Sequence, residues 1–128
     1  MNALELAIDD AIKSSGEQTK ANKAYLEFLK ANLIIPIEKT KNNEVKVLFI
    51  EENGMAFMPI FSSESYLKTW ADPINDKIAV LKLSGVDLLQ GIGDKVSLLF
   101  NINSEIYKIF NPEEINRMKN IIIKLFRR

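Results

Sequence analysis

"FMPIFSSESYLKTW", residues 57–70, joins a strand-like apolar run to a helical segment and carries three serines among large apolar side chains. Ser62 is predicted to be the N-cap of that helix, because its hydroxyl can accept from a backbone N–H in the first turn. Phe61 and Tyr66 then occupy the two positions of a hydrophobic staple, which fixes the angle between strand and helix. Trp70 shares the helix face of Tyr66. The stretch therefore predicts a scaffolding junction.

Outward from this junction, helical and strand patterns alternate in the order ααβββαβαββα. Asn53-Gly54 between two strand patterns is a strong hairpin signal, because both residues tolerate positive φ. Pro36 in "LIIPIE" has no backbone donor, which predicts an edge position or a bulge. The predicted helices cover residues 3–14, 21–32, 63–71, 84–90 and 112–128, and the predicted strands cover 33–38, 45–51, 55–61, 77–83, 95–102 and 105–110.

These elements predict one α+β domain over residues 1–128, with a mainly antiparallel or mixed sheet of about six strands. Residues 1–31 form a lead-in of two helices, residues 33–110 form the sheet with two inserted helices, and residues 112–128 form a C-terminal helix packed on the sheet. Hydrophobic residues make up 47% of the chain and charged residues 27%, the balance of a folded globular protein.

Composition excludes several classes of site. The sequence contains no cysteine and no histidine. Disulfides, thiolate nucleophiles, Ser-His pairs and the usual zinc ligands are therefore ruled out. Seventeen Lys and Arg balance seventeen Asp and Glu, so no net positive field favours nucleic acid as a partner. We expect no catalytic residue, no metal site and no cofactor.

The terminal segments say little about targeting. "MNALELAIDD" carries acidic residues where a secretory signal would be basic, and no apolar run is long enough to span a membrane. We therefore expect a cytoplasmic protein, with export by a machine that reads other signals as the open alternative. Lys124, Arg127 and Arg128 are expected to complement the negative end of the last helix.

Two candidate sites lie in the opening stretch. Tyr66 and Trp70 would form a protein-binding surface if they were exposed, since these residue types dominate interface energetics. We favour a position of Trp70 in the hydrophobic core, because the staple turns its helix face toward the sheet. Ser62 and Ser63 would form an anion site if the first N–H groups of the helix were free, and Ser84 offers a similar helix start.

The same capping device recurs before the last helix. Asn111 is the predicted N-cap, Pro112 takes the favoured first position, and Glu114 is predicted to close a capping box. Phe110 is predicted to staple to Ile115. The repetition supports a structural role for both junctions.

The pieces "PIFSSESYLKTW" and "LLFNINSEIYKIFNPEEI", with the leading "LEFLKANLIIPIE", resemble the N-terminal domain of the SseB family of bacterial proteins. Ile102 departs from the family pattern, which commonly has proline after the asparagine. Some members carry a second, C-terminal domain, whereas this sequence covers the first. The matching residues are Pro59, Phe61, Ser62, Ser63, Leu67, Trp70, Asn101, Pro112 and Glu113.

The resemblance implies a bacterial cytoplasmic α+β module without an established reaction, and it carries over no catalytic residue. Its family labels concern type III secretion and serine sensitivity. We expect a non-enzymatic interaction or adaptor domain that binds a protein, an unidentified partner or itself. The alternative is a domain that binds a small ligand or anion, with enzymatic activity through carboxylates and serines.

Overall fold

The computed structural model describes residues 1–42 and 44–126, and their elements form an α+β domain, as predicted. The predicted tail cations Arg127 and Arg128, the Phe126 side chain and Asn43 of the predicted loop lie outside the described residues. The elements are α1 (Ala3–Lys13), α2 (Gln18–Lys30), β1 (Asn32–Glu38), β2 (Ile50–Glu52), β3 (Met55–Ile60), α3 (Glu64–Ala71), a 3-10 helix (Asp72–Lys77), β4 (Ile78–Ser84), α4 (Gly85–Gly91), β5 (Val96–Phe100), β6 (Lys108–Phe110) and α5 (Pro112–Phe126).

α1 ends at Lys13, one residue before the predicted end at residue 14. The Gly16 N–H donates to the Ala11 carbonyl at 3.0 Å, and the Ser15 N–H donates to the Ile12 carbonyl at 3.1 Å. These two bonds form a Schellman motif, which satisfies carbonyls at the helix end. Ser15 and Gly16 both adopt positive φ. The chain can therefore reverse within a few residues and start α2.

The six strands are divided between a two-stranded sheet, β1-β4, and a four-stranded sheet, β2-β3-β5-β6. Isolated bridges pair Ile34 of β1 with Phe61, directly after β3, and Ile37 with Val47, in the segment before β2. Ile34 exchanges backbone hydrogen bonds with Phe61 on the edge of β1 that faces β3. Pro36 follows two residues later on that same edge and has no N–H to donate. The ladder is interrupted there, which explains why the predicted single sheet is divided.

The second sheet is mixed. β3 and β5 are parallel, while β2 and β6 pair antiparallel with their neighbours. The predicted hairpin at Asn53-Gly54 is confirmed, and both residues have positive φ. β2 begins at Ile50 instead of residue 45, because residues 45–49 run beside β1. β5 ends at Phe100 instead of residue 102, because Asn101 takes positive φ.

β6 is also shorter than predicted, beginning at Lys108 instead of residue 105. The Ser104 hydroxyl donates to the Asn101 carbonyl at 2.8 Å and accepts from the Ile106 N–H at 3.1 Å. These bonds hold the intervening residues in a turn, since a serine hydroxyl can replace ladder partners locally. The first residues of the predicted strand therefore belong to the turn.

Side chains of alternate strand residues enter two hydrophobic cores. The larger core lies between the sheets and the helices α1, α2, α4 and α5, and it contains Phe28, Phe100 and Phe110. The smaller core lies under α3 and the 3-10 helix, and it is built on Phe61 and Leu67. β1 contributes to both cores, with Leu33 and Ile35 in the larger core and Ile34 in the smaller one. Within the described residues, no helix combines the length and apolar character that a membrane crossing requires.

Gly85 lies where the start of α4 packs against the end of α2. Its N–H donates to the Ala31 carbonyl at 3.0 Å. A Cβ at position 85 would lie 2.0 Å from the Phe28 carbonyl oxygen, far inside van der Waals contact. The preceding Ser84 caps α4 as predicted, with its hydroxyl accepting from the Asp87 N–H at 3.1 Å. Glycine is therefore required where α4 begins beside the end of α2.

Gly85→Ala should lower the free energy of unfolding by about 1–3 kcal/mol or more, because the added methyl forces backbone atoms of α2 to move. Denaturant titration measures the loss. Gly91→Ala is the matched control, because a Cβ there meets nothing within 4 Å. Equal stability of the two variants would contradict the packing account of Gly85.

Candidate functional site

Asn101 directly follows β5, and Ser62 follows the parallel strand β3 after one intervening residue, so the two residues lie side by side. The Ser62 N–H donates to Asn101 Oδ1 at 3.0 Å, and Asn101 Nδ2 donates to Ser62 Oγ at 2.9 Å. The Asn101 N–H donates to the Ile60 carbonyl at 2.9 Å. Two polar side chains thus lock the carboxyl ends of two neighbouring strands together.

Glu5, in the first turn of α1, completes this network. Ser62 Oγ donates to Glu5 Oε2 at 2.5 Å. The other carboxylate oxygen accepts from the Asn2 N–H, and the Glu5 N–H donates to Asn2 Oδ1, which together form a capping box. Glu5 is 5%, Ser62 7% and Asn101 0% exposed. We call Glu5, Ser62 and Asn101 the buried polar network.

The predicted capping role of Ser62 is wrong. The N-cap of α3 is Ser63, one residue later, and its side chain makes no capping bond. Ser62 is bonded instead to Glu5 and Asn101, since charge-assisted bonds to a carboxylate are the stronger choice for its hydroxyl. The Ser63 hydroxyl lies 3.0 Å from that of Ser65. At the predicted anion site, the Ser62 hydroxyl and N–H are therefore both occupied by groups of the same chain.

Tyr66 and Trp70, the predicted interaction surface, are both half-buried against the smaller core. The Trp70 ring lies 5.5 Å from that of Phe61, centroid to centroid, in a tilted arrangement. Burial raises the pKa of Tyr66, and the carboxylates of Glu5 and Glu105 act in the same direction. Each side chain therefore combines a packing contact with a partly exposed surface.

Asn111 caps α5 as predicted, with Oδ1 accepting from the Glu114 N–H at 2.9 Å. The predicted reciprocal bond from Glu114 is replaced by contacts with two other elements. Tyr25 OH donates to Glu114 Oε2 at 3.0 Å, and Lys108 Nζ lies 3.0 Å from the same oxygen. A tyrosine and a lysine are stronger competitors for this carboxylate than the backbone N–H of the cap.

Glu114 thereby belongs to a charged cleft of about 270 Å³ between the α1–α2 turn and the β6–α5 segment. Arg117 adds a second cation to its lining. Burial raises the pKa of Tyr25, and its hydrogen bond to Glu114 adds to the rise, while Arg117 acts in the opposite direction. The Tyr25 phenol is therefore a neutral donor at physiological pH. Sequence reasoning missed this cleft, because its residues come from three distant segments.

A second concavity, the apolar groove, lies between residues 45–49 and α4. Its volume is about 190 Å³. Ile35 and Met58 of the core lie at its base, while Phe49 in its wall is 46% exposed. Asp87 adds a carboxylate to the lining. The sequence signal for this groove was the alternation of Val45, Val47 and Phe49, which was interpreted as an ordinary strand.

The two sheets, the helical layer and the buried polar network define a small mixed-sheet α+β domain. The chain belongs to the SseB family: its sequence matches the model of the SseB protein N-terminal domain over residues 5–117. The resemblance found in the sequence is thereby confirmed. A search of curated proteins found no match to the chain.

Ser62→Ala should lower the free energy of unfolding by about 1–3 kcal/mol, because it leaves Glu5 Oε2 and Asn101 Nδ2 buried without their partner. Ser63→Ala is the adjacent control and should change stability by less than about 0.5 kcal/mol, as for an ordinary surface substitution. Chemical denaturation of both variants measures the difference. A larger loss for Ser63→Ala than for Ser62→Ala would refute the assignment of the network to Ser62.

Proposed function

We propose that this domain is a non-enzymatic interaction module that binds a partner polypeptide in the apolar groove. The observation that carries the proposal is Phe49, a large aromatic side chain left 46% exposed beside a concavity whose base is the hydrophobic core. Aromatic side chains, phenylalanine included, are enriched at protein interfaces. An apolar side chain of a partner would cover Phe49, and the apolar surfaces of both side chains would then be removed from water.

The surroundings of Phe49 support the same use. Val45, Ile50 and Met55 are also among the exposed large apolar residues, so four such side chains fall within eleven residues of sequence. Asp87 supplies a carboxylate that can pair with a basic residue of the partner.

The backbone next to Phe49 supports an extended partner. Among the described strands, β2 pairs with β3 alone, so its outer edge is available for hydrogen bonds to another chain. Addition of a strand to a free edge is a common way of binding peptides. We infer that a partner strand would align along Ile50–Glu52 and place one apolar side chain in the groove.

The absence of catalysis remains part of the proposal. The sequence has no histidine or cysteine to act as base or nucleophile. The Ser62 hydroxyl donates to Glu5 and accepts from Asn101, and Ser62 is 7% exposed. These contacts make it a poor nucleophile. The family membership favours a bacterial cytoplasmic adaptor, with secretion components as one class of partner to test.

Selection from a random peptide display library on the immobilised domain tests the proposal. We expect enrichment of peptides with a large apolar residue. Phe49→Ser should weaken the selected peptides about thirtyfold or more, which corresponds to loss of roughly 2 kcal/mol at an interface centre. Leu26→Ser is the matched control, because Leu26 is 42% exposed but lies on α2, away from the groove lining.

Circular dichroism and thermal melts should show both variants folded. Failure to enrich peptides, or equal binding by wild type and Phe49→Ser, would contradict the proposed site. Peptides whose binding falls with Leu26→Ser alone would relocate the interaction surface to α2.

A further inference from the structure

The charged cleft has the form of a second, separate binding site. One wall comes from the α1–α2 turn and α2, and the other from β6 and α5. Its apolar lining is made mainly of small side chains, namely Ala11, Ala21 and Ala24. Gly16 in the turn has open space where a Cβ would stand. Small residues on one wall leave room for a flat apolar group.

The charges of the cleft do not cancel. Lys108 Nζ lies 3.0 Å and 3.2 Å from the two oxygens of Glu114, so these two groups neutralise each other. Both side chains are largely buried, and Lys108 also lies over the Phe110 ring at 5.0 Å. Arg117, one turn further along α5, is exposed and has no carboxylate within ion-pair distance among the described residues. The lining therefore carries one surplus positive charge.

The contacts of Tyr25 show how the charged groups of the cleft are arranged. Its hydroxyl donates to Glu114, which already accepts from Lys108. Both of those donors hold Glu114 in place. Arg117 interacts with the Tyr25 hydroxyl but has no carboxylate partner among the described residues. A guanidinium has five N–H donors in a planar fork that matches the two oxygens of a carboxylate.

We propose that the charged cleft binds a small monocarboxylate with a compact apolar body, the carboxylate on Arg117 and the body against Ala21 and Ala24. The single surplus charge matches a monoanion better than a phosphate dianion. A volume of about 270 Å³ corresponds to roughly nine waters at about 30 Å³ each, which sets the size of the ligand. This site is separate from the apolar groove and does not depend on the proposed function.

Benzoate, with nine non-hydrogen atoms, is the probe, and benzamide is its uncharged counterpart of the same size. Titration of the isotope-labelled protein, followed by amide NMR shifts, should show saturable changes around Gly16, Ala21 and Tyr25 with benzoate. A dissociation constant in the millimolar range or tighter is expected, and benzamide should bind about tenfold more weakly or not at all.

Arg117→Gln should weaken benzoate about tenfold or more, because it removes a charge-assisted pair. Lys68→Gln is the control: it removes one positive charge from α3, and Lys68 does not line the cleft. Equal weakening by both variants would show a non-specific charge effect and overturn the proposal. So would the absence of saturable shifts, equal binding of benzamide, or tighter binding of inorganic phosphate.

A tripeptide with a free C-terminal carboxylate distinguishes a peptide end from a small molecule. Binding of the tripeptide without binding of benzoate would overturn the small-molecule assignment. Benzoate binding at the cleft with unchanged peptide selection at Phe49 would support two independent sites.

Discussion

The hydrogen bond from Ser62 to the Glu5 carboxylate is the contact on which the arrangement of the layers depends. A carboxylate inside a protein is tolerated only where hydrogen bonds replace its water. Glu5 obtains these bonds from Ser62 and from the cap of its own helix, so α1 is held at one position over the ends of β3 and β5. These directional bonds act together with the close-packed apolar contacts of α1. Within the described residues, no buried side-chain polar atom lacks a partner.

The place taken by Glu5 has a consequence for function. Ligands of open sheets commonly bind beyond the carboxyl ends of parallel strands. Here those ends belong to β3 and β5, and Ser62 and Asn101 meet there. A carboxylate from the same chain already fills the position that an anionic ligand would take. The two proposed binding sites, the apolar groove and the charged cleft, are lined by other residues.

The features that were predicted correctly from the sequence depend on residues that are close together in the chain. The Asn53-Gly54 hairpin and the helix start at Ser84 follow from local backbone preferences, and both were confirmed. The role of Ser62 was missed, because its partners lie 57 and 39 residues away in sequence and outcompete the local cap. The charged cleft was missed for the same reason, and Glu114 was assigned to its own helix start. The available sequence signal for the buried polar network was a serine at the end of one strand and an asparagine at the end of its parallel neighbour.

The residues that identify the family and the residues that could bind a partner are different sets. "PIFSSESYLKTW" contains Phe61, Ser62 and Trp70, which pack the smaller core or hold the buried polar network. Phe49 and Arg117 lie outside that stretch, and their side chains reach solvent. Substitution of a packing residue is costly, whereas exposed residues change at little cost in stability. Proteins that share this stretch can therefore share the fold and still bind different molecules.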